Sequence, residues 1–226
     1  MFAGLFLGIC GSLSTIGNRP IYYTIDGSQP DTTSLIYTEP LKIQEDTELK
    51  AIVITTKDTS DVFEEHIRVN KATFKPSWLA NAPHENYTFN GVSTLTDGLL
   101  GNQNYNTGRW LGFLKDMDLT IDLQKPTPVS SVSLTVNVSK GAAVMDATGL
   151  EVWCSEDGKE YRKLASASYP VLGKEDKDGI YPHSLSFSEV ETRYVRIIAK
   201  VTPKLPAWHM WPGNPAFLFV DEVCIK

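Results

Sequence analysis

The sequence predicts an all-β protein that is built from two β-sandwich domains in tandem. Short runs of β-branched and aromatic residues alternate with turn residues along the chain, and stretches of helical periodicity are nearly absent. Over residues 132–138 every second position is valine or leucine, which is the two-residue period of a strand with one buried face. With 226 residues, of which 42% are hydrophobic, the chain is long enough for two domains and can bury a core.

The first domain is predicted over residues 1–72. Residues 22–25, Tyr-Tyr-Thr-Ile, are a run of strand formers, and the Asp26-Gly27 pair that follows is typical of a turn. A second strand is predicted over residues 49–54, Leu-Lys-Ala-Ile-Val-Ile. These signals describe a small β-sandwich with no catalytic groups of its own.

This domain resembles the immunoglobulin-like C-terminal domain that follows the catalytic barrel in bacterial chitobiases and family 20 β-N-acetylhexosaminidases. The resemblance covers roughly residues 15–70 and rests on these positions: Tyr22, Tyr23, Thr24, Asp26, Gly27, Ser28, Pro30, Tyr37, Pro40, Thr47, Leu49, Lys50 and Ala51. It implies that the chain is the non-catalytic tail of a secreted bacterial sugar hydrolase. The implied location is the periplasm, the cell surface or the extracellular space, and one implied partner is the catalytic domain of the parent enzyme.

The second domain is predicted over residues 73–226. Its first residues, 73–88, contain two prolines and little periodicity, as expected of a linker, and residues 156–159, Glu-Asp-Gly-Lys, are typical of a hairpin turn. Six segments have the composition of strands: 118–123, 131–138, 150–154, 184–187, 194–200 and 217–225. We expect about eight antiparallel strands in this domain, a number that favours a jelly-roll sandwich.

The second domain resembles the coagulation factor 5/8 type C, or discoidin, domain, whose fold is shared by family 32 carbohydrate-binding modules. The resemblance rests on the order of these segments: 95–98 (LTDG), 108–113 (GRWLGF), 120–123 (TIDL), 155–159 (SEDGK), 194–197 (YVRI) and 219–223 (FVDEV). It implies a discoidin-type jelly roll that binds a glycan, for example one that ends in GlcNAc, GalNAc or galactose. It also implies a structural Ca²⁺ ion.

The calcium site that the resemblance implies involves Asp97 and Glu222. Calcium takes six to eight oxygen ligands, which an irregular loop supplies as carboxylates and carbonyl groups. The loop after Asp97 is rich in glycine and asparagine, and Asn102 and Thr107 are the further candidate ligands within it. The alternative is an ordinary Asp-Gly turn, with Glu222 on a solvated face.

The strongest candidate for a sugar site is the segment 208–215, Trp-His-Met-Trp-Pro-Gly-Asn-Pro. Trp208 and Trp211 could stack on the apolar faces of sugar rings, while His209 and Asn214 offer hydrogen-bond donors and acceptors. Flanking prolines stiffen the loop. The alternative is that both indoles pack beneath the loop, since tryptophan is highly buried on average.

A second group of candidate residues surrounds Trp110. We expect Trp110 itself to belong to the core. Arg109 could donate a hydrogen bond to a sugar hydroxyl, and Tyr105 could line the same rim.

No pair of carboxylates in the sequence predicts catalysis. Asp221 and Glu222 are neighbours in a predicted strand, so their side chains point to opposite faces and cannot act on one substrate together. Asp116 and Asp118 could lie about 7 Å apart on one strand face, but no apolar surroundings are predicted for either. We therefore predict no catalytic residues.

Composition narrows the possible partners. The net charge of −6 and the pI near 5.2 argue against nucleic acids and anionic membranes. The apolar segment 1–9 is too short to span a membrane, so we interpret it as the first strand of the first sandwich and expect no membrane insertion. The cysteines, Cys10, Cys154 and Cys224, lack metal-binding spacing, and a Cys154–Cys224 disulfide stays open.

Two functions from different classes follow from these observations. The chain is either a carbohydrate-binding accessory region of a glycoside hydrolase or a structural brace for the catalytic domain with no ligand of its own. A large exposed apolar patch on the first domain would favour the brace.

Overall fold

The computed structural model describes these residues of the chain: 2–7, 11–15, 17 and 19–226. Cys10 and the ends of the predicted strand 1–9 lie outside the described residues. The chain divides into two compact units, which are Met1–Val69 with Asp97–Leu99 and Asn70–Thr96 with Leu100–Lys226. No helix in the described part is long and apolar enough to cross a membrane.

The first unit contains two antiparallel sheets. Its strands are β1 (Phe2–Leu7), β2 (Gly11–Thr15), β3 (Ile21–Thr24), β4 (Leu35–Ile36), β5 (Thr47–Val53) and β6 (Phe63–Ile67). β1 pairs with β2 in a two-stranded sheet, and the other four strands form a sheet in the order β4-β3-β5-β6. The two strands predicted from sequence at 22–25 and 49–54 are therefore the central pair of the larger sheet.

The Asp26-Gly27 turn after β3 has the geometry that its sequence predicts. Gly27 has a φ of 79°, and a Cβ atom there would lie 2.3 Å from a carboxylate oxygen of Glu48. Asp26 accepts hydrogen bonds from the hydroxyl and the N–H of Ser28, at 2.6 and 3.0 Å, and these bonds lower the pKa of the Asp26 carboxyl. The turn thus favours glycine because of its positive φ, and it uses aspartate as a hydrogen-bond acceptor.

The second unit is an antiparallel β-sandwich. Its strands are β7 (Ser77–Leu79), β8 (Leu111–Phe113), β9 (Met117–Val138), β10 (Gly149–Ser155), β11 (Arg162–Ser168), β12 (Gly179–Lys200) and β13 (Leu218–Ile225). They pair in the order β11-β10-β12-β9-β13-β8, and β7 pairs with β9. Short 3-10 turns lie in its loops: Glu85–Tyr87, Gly91–Leu95, Tyr105–Thr107 and Lys140–Ala142.

The two long strands, β9 and β12, bend together near their middles. Their pairing shifts register between Ser186 and Val190 and again between Thr192 and Tyr194. Gln124, in the part of β9 that bulges out, has a φ of 71°. The sequence predicts four separate strands here, whereas the structure has two long bent strands. The predicted strands 118–123 and 131–138 are the two halves of β9, and the predicted strands 184–187 and 194–200 are the two halves of β12. The two halves of each strand are joined because β9 and β12 pair with each other along most of their length. This pairing is between residues distant in the chain, so no local sequence pattern predicts it.

The bend brings both ends of β9 to one end of the sandwich. There the N–H of Val201 donates to the carboxylate of Asp116 at 3.0 Å, and the hydroxyl of Thr202 donates to the carbonyl oxygen of Asp146 at 3.1 Å. Three loops collect at this end, which we call the loop end: 139–148, 169–178 and 201–217.

The core of the second unit lies between the halves of the bent strands. The alternation predicted over 132–138 is confirmed, because these side chains are at most 3% exposed: Val132, Leu134, Val136 and Val138. Burial of each such side chain contributes about 1.5–3 kcal/mol. Cys154 is buried and Cys224 is half-buried, and no disulfide joins them.

Candidate functional site

The loop after β12 carries four of the predicted sugar-binding residues, and its backbone closes on itself. The N–H of Leu205 donates to the carbonyl oxygen of Asn214 at 2.8 Å, and the N–H of Gly213 donates to the carbonyl oxygen of Leu205 at 2.9 Å. The Leu205 side chain, 3% exposed, anchors the base of the loop in the core. We call residues 205–214 the tryptophan loop.

His209 is buried beneath the tryptophan loop, and both of its ring nitrogens are engaged. Nε2 lies 2.7 Å from the carbonyl oxygen of Lys140, which can only accept, so Nε2 carries the proton. Nδ1 accepts the backbone N–H of Trp211 at 3.0 Å. This geometry differs from the predicted role, in which His209 bonds a sugar, because neither nitrogen is left for a ligand. His209 instead positions Trp211.

The two tryptophans of the loop have different environments. Trp208 is half-buried and packs against the core, with the Lys140 ammonium 5.6 Å from its ring centroid. Trp211 is 47% exposed, and its ring centroid lies 5.5 Å from that of His209. Packing beneath the loop therefore describes Trp208, whereas Trp211 presents its indole to solvent. Asn214, also exposed, shares a turn with Trp211 through a 3.3 Å backbone hydrogen bond.

Lys140 joins three loops of the loop end, and sequence reasoning missed it. Its carbonyl oxygen binds His209, while its ammonium donates to the carbonyl oxygens of Lys174, at 2.8 Å, and of Asp176. Its backbone N–H donates to Asp178 at 3.1 Å. No sequence signal marks Lys140, because it is a single lysine in a short turn whose partners are distant in the chain.

Tyr105 packs in an aromatic cluster. Its ring centroid lies 5.0 Å from that of Phe219 and 6.2 Å from that of Tyr87. The structure therefore places Tyr105 in a different cluster from Trp208 and Trp211.

Arg109 precedes a tryptophan that belongs to the core, as predicted. Trp110 is fully buried, and its Nε1 donates to the carbonyl oxygen of Asn102 at 2.9 Å. A Cβ atom at Gly101 would lie 2.2 Å from the Trp110 indole, so the loop approaches the ring through a glycine. Arg109 itself is half-buried.

The four predicted calcium ligands differ in burial. Asp97 is 4% exposed and Glu222 is 2% exposed, whereas Asn102 and Thr107 are exposed. One carboxylate oxygen of Asp97 accepts the N–H of Leu99 at 2.9 Å. The donor set consists of oxygen atoms, which is the chemistry that calcium prefers. Within the described residues, no three or more histidine, cysteine, aspartate or glutamate side chains form a metal-binding group, so calcium stays a prediction.

Asp221 serves as a structural acceptor. It accepts the backbone N–H groups of Gly101 and Glu222, at 2.9 and 2.6 Å, and the hydroxyl of Thr135. Burial raises the pKa of the Asp221 carboxyl to about 6, against the effect of these hydrogen bonds. Asp221 thereby pins the loop at Gly101 to two strands.

The second unit is therefore an antiparallel β-sandwich domain whose candidate binding residues lie on loops at one end. Residues 79–213 match the F5/8 type C domain, and the chain belongs to this family. Residues 12–67 match the family described as Fn3 associated. The predicted all-β class and the predicted discoidin-type jelly roll are confirmed. No protein of curated function matches the sequence.

Three similar solved structures are carbohydrate-binding modules. Chitosan-binding module 1 of a chitosanase/glucanase from Paenibacillus sp. IK-5 is 14% identical, with 70% of this chain and 99% of that chain covered and a TM-score of 0.46. A fucose-binding module from Streptococcus pneumoniae is 20% identical, with 70% and 94% covered and a TM-score of 0.43. CpGH89CBM32-5 from Clostridium perfringens, in complex with GalNAc-β-1,3-galactose, is 15% identical, with 66% and 93% covered and a TM-score of 0.43.

Proposed function

We propose that this chain is a non-catalytic, carbohydrate-binding region that holds a glycoside hydrolase close to its glycan. The observation that carries the proposal is the exposed indole of Trp211, on a loop whose backbone is held by the buried His209. An exposed aromatic face can stack on the apolar face of a sugar ring, and a loop that is ordered before binding loses little conformational entropy.

The other predicted residues take distinct roles in this proposal. The exposed amide of Asn214 supplies a hydrogen-bond donor and acceptor beside Trp211, and Trp208 supports the loop from below. Tyr105 and Arg109 contact more distant parts of the glycan. A shallow site of this kind binds a single sugar weakly, because few contacts offset the cost of association. Its function is to raise the local concentration of substrate around the enzyme to which it is attached.

The identity of the parent enzyme is a further part of the proposal. The resemblance of residues 15–70 to hexosaminidase tails supports a secreted bacterial β-N-acetylhexosaminidase of family 20. The corresponding ligands are glycans that end in GlcNAc, GalNAc or galactose. The corresponding location is the periplasm, the cell surface or the extracellular space.

A structural calcium ion is also proposed, with Asp97, Glu222, Asn102 and Thr107 as ligands. The chemistry of the set supports it, because calcium prefers carboxylate and other oxygen ligands. The ion would stabilise the loop that follows Asp97.

A glycan array probed with the purified chain, with and without calcium, tests the main proposal. We expect binding to a defined terminal sugar, and we expect Trp211→Ala to weaken it at least about tenfold. Met210→Ala is the matched control, because Met210 is 70% exposed in the same loop but has no aromatic face. Silence across the array from folded protein, or equal binding by the Trp211→Ala variant, contradicts the proposal.

One observation favours the structural brace as a second candidate. The first unit exposes three large apolar side chains on and beside neighbouring strands, Ile25, Leu35 and Ile36, each more than half exposed. Contiguous exposed apolar patches are typical of protein interfaces. Under this alternative the array is silent, and substitution of these residues by serine leaves the chain's own folding unchanged.

A further inference from the structure

A row of side chains crosses five strands on one face of the second unit. Along the paired registers of β7, β9, β12, β10 and β11 the row consists of Trp78, Thr120, Arg196, Trp153 and Lys163. Neighbouring strands lie about 4.8 Å apart, so the row is about 19 Å long. The row lies on the side of the sheet opposite the core, because adjacent residues on three of these strands are buried in the core: Leu119, Ile197 and Val152. Thr120 itself is only 6% exposed.

Aromatic rings cover much of this face. Trp78 is 46% exposed, and its ring centroid lies 6.3 Å from that of Tyr194, with an interplanar angle of 64°. Trp153 and Tyr161 are half-buried. We call the four rings of Trp78, Tyr194, Tyr161 and Trp153, with the ion pairs around them, the outer aromatic face.

Cationic groups sit over three of the rings. The Arg193 guanidinium carbon lies 4.9 Å from the Tyr194 centroid, and the Lys163 ammonium lies 4.7 Å from that of Trp153. Arg196 is 5.9 Å from the Tyr161 centroid. These contacts restrict the rings before any ligand arrives.

The two arginines of the face are neutralised by carboxylates. Arg196 donates to Asp118 through two nitrogens, at 2.8 and 2.6 Å, and Arg193 donates to Asp122 through two nitrogens, both at 2.8 Å. Such two-point pairs hold the guanidinium plane in a fixed orientation.

The two lysines of the face are neutralised in the same way. The ammonium of Lys163 lies 3.3 Å from Glu151, and that of Lys200 lies 3.2 Å from Asp116. Glu151 also accepts the indole N–H of Trp153 at 3.0 Å. Each of the four cations on the face thus has a carboxylate partner, and the face carries no net charge.

We propose that the outer aromatic face is a second binding surface, which takes an extended, uncharged, β-1,4-linked polysaccharide chain. Such a chain is a flat ribbon whose ring faces stack on the exposed indole of Trp78. Its hydroxyl groups bond to the outer atoms of the ion pairs, whose cations lie over the other three rings. An apolar protein partner would desolvate four ion pairs without offering them hydrogen bonds, which is costly. A nucleic acid or an anionic glycan would find no net positive charge.

This surface is distinct from the tryptophan loop. The loop presents one exposed indole and suits a single terminal sugar, whereas the face spans several sugar units. Engagement of both by one insoluble glycan would raise the apparent affinity through effective concentration.

Calorimetric titration of the full chain with N-acetylglucosamine, chitohexaose and cellohexaose tests the proposal. We expect at least one hexasaccharide to bind, and Trp78→Ala to lower its affinity about three- to tenfold while Trp78→Phe retains most of it. Ile180→Ala is the matched control, because Ile180 is a 41% exposed apolar residue on the other half of β12. Melting temperatures of all variants verify folding.

The outcomes separate the two glycan sites. Loss of N-acetylglucosamine binding in Trp211→Ala, with hexasaccharide binding still sensitive to Trp78→Ala, supports both sites. If Trp211→Ala has no effect and Trp78→Ala does, the loop site fails and the face stands. The face proposal is overturned if folded protein binds neither hexasaccharide or binds them equally after Trp78→Ala. It is also overturned if light scattering shows a dimer that Trp78→Ala dissociates, since the face is then a protein contact.

Discussion

The imidazole of His209 donates to the carbonyl oxygen of Lys140 at 2.7 Å and accepts the N–H of Trp211 at 3.0 Å. One buried side chain therefore fixes the tryptophan loop to the turn that follows β9. The Lys140 ammonium extends the connection to the 169–178 loop through the carbonyl oxygen of Lys174. The exposed indole of Trp211 is thus supported by contacts among three loops.

Replacement of His209 by alanine should lower the free energy of unfolding by about 1–3 kcal/mol, because it removes the two hydrogen bonds that connect Lys140 to Trp211. Glycan binding should weaken as well, since Trp211 loses its support. Urea denaturation and titration with the best array ligand measure the two effects. Met210→Ala should change stability by less than about 0.5 kcal/mol, and a His209→Ala variant as stable as this control would contradict the role of His209.

Asp221 should give the chain a stability component that falls as the pH rises. The folded pKa of about 6 exceeds the unfolded value near 3.9, so the folded state binds the proton more tightly. This component is fully present below about pH 4 and is lost as the pH rises through about 6, with a total near 3 kcal/mol.

The Asp221→Asn variant isolates this component, because asparagine does not titrate. Urea denaturation between about pH 4 and pH 7 should show wild type losing stability relative to the variant as the pH rises. A wild-type-minus-variant difference that is constant over this range would refute the raised pKa.

Gly101 should not tolerate a side chain. A Cβ atom there would lie 2.2 Å from the fully buried Trp110 indole, and overpacking of this kind costs about 1–3 kcal/mol. Gly101→Ala should therefore lower the melting temperature by about 2–4 °C per kcal/mol, as calorimetry can measure. Gly141→Ala is the matched control, because no atom lies within 4 Å of its added Cβ. Equal melting temperatures for the two variants would show that the loop moves away from Trp110 at little cost.

Chelation should destabilise the chain if calcium binds at Asp97 and Glu222. At a calcium concentration about a hundred times the dissociation constant, the ion contributes about 2.7 kcal/mol. EDTA should lower the melting temperature of wild type and of Asp61→Asn, an exposed acid in the first unit, but not of Asp97→Asn. If EDTA leaves the melting temperature of the wild type unchanged, the proposed structural calcium ion is refuted.

Several features could be predicted from the sequence because they depend on neighbouring residues. The alternation over 132–138 indicated a strand with one buried face, and the Asp26-Gly27 pair indicated a turn that needs a positive φ. Other features depend on distant partners. The join between 118–123 and 131–138 is set by pairing with β12, and the outer aromatic face assembles Trp78 and Trp153 from strands that only the sheet order brings into one row.

By itself the sequence determined the all-β class, the F5/8 type C family and the loop that carries the candidate site. Only the tertiary structure decided which tryptophan of that loop faces solvent. Trp208 and Trp211 share a loop and a residue type, yet one packs on the core and the other is 47% exposed. The physical reason is the hydrogen bond from His209 to Lys140, 69 residues away in the chain, which sets the loop's path.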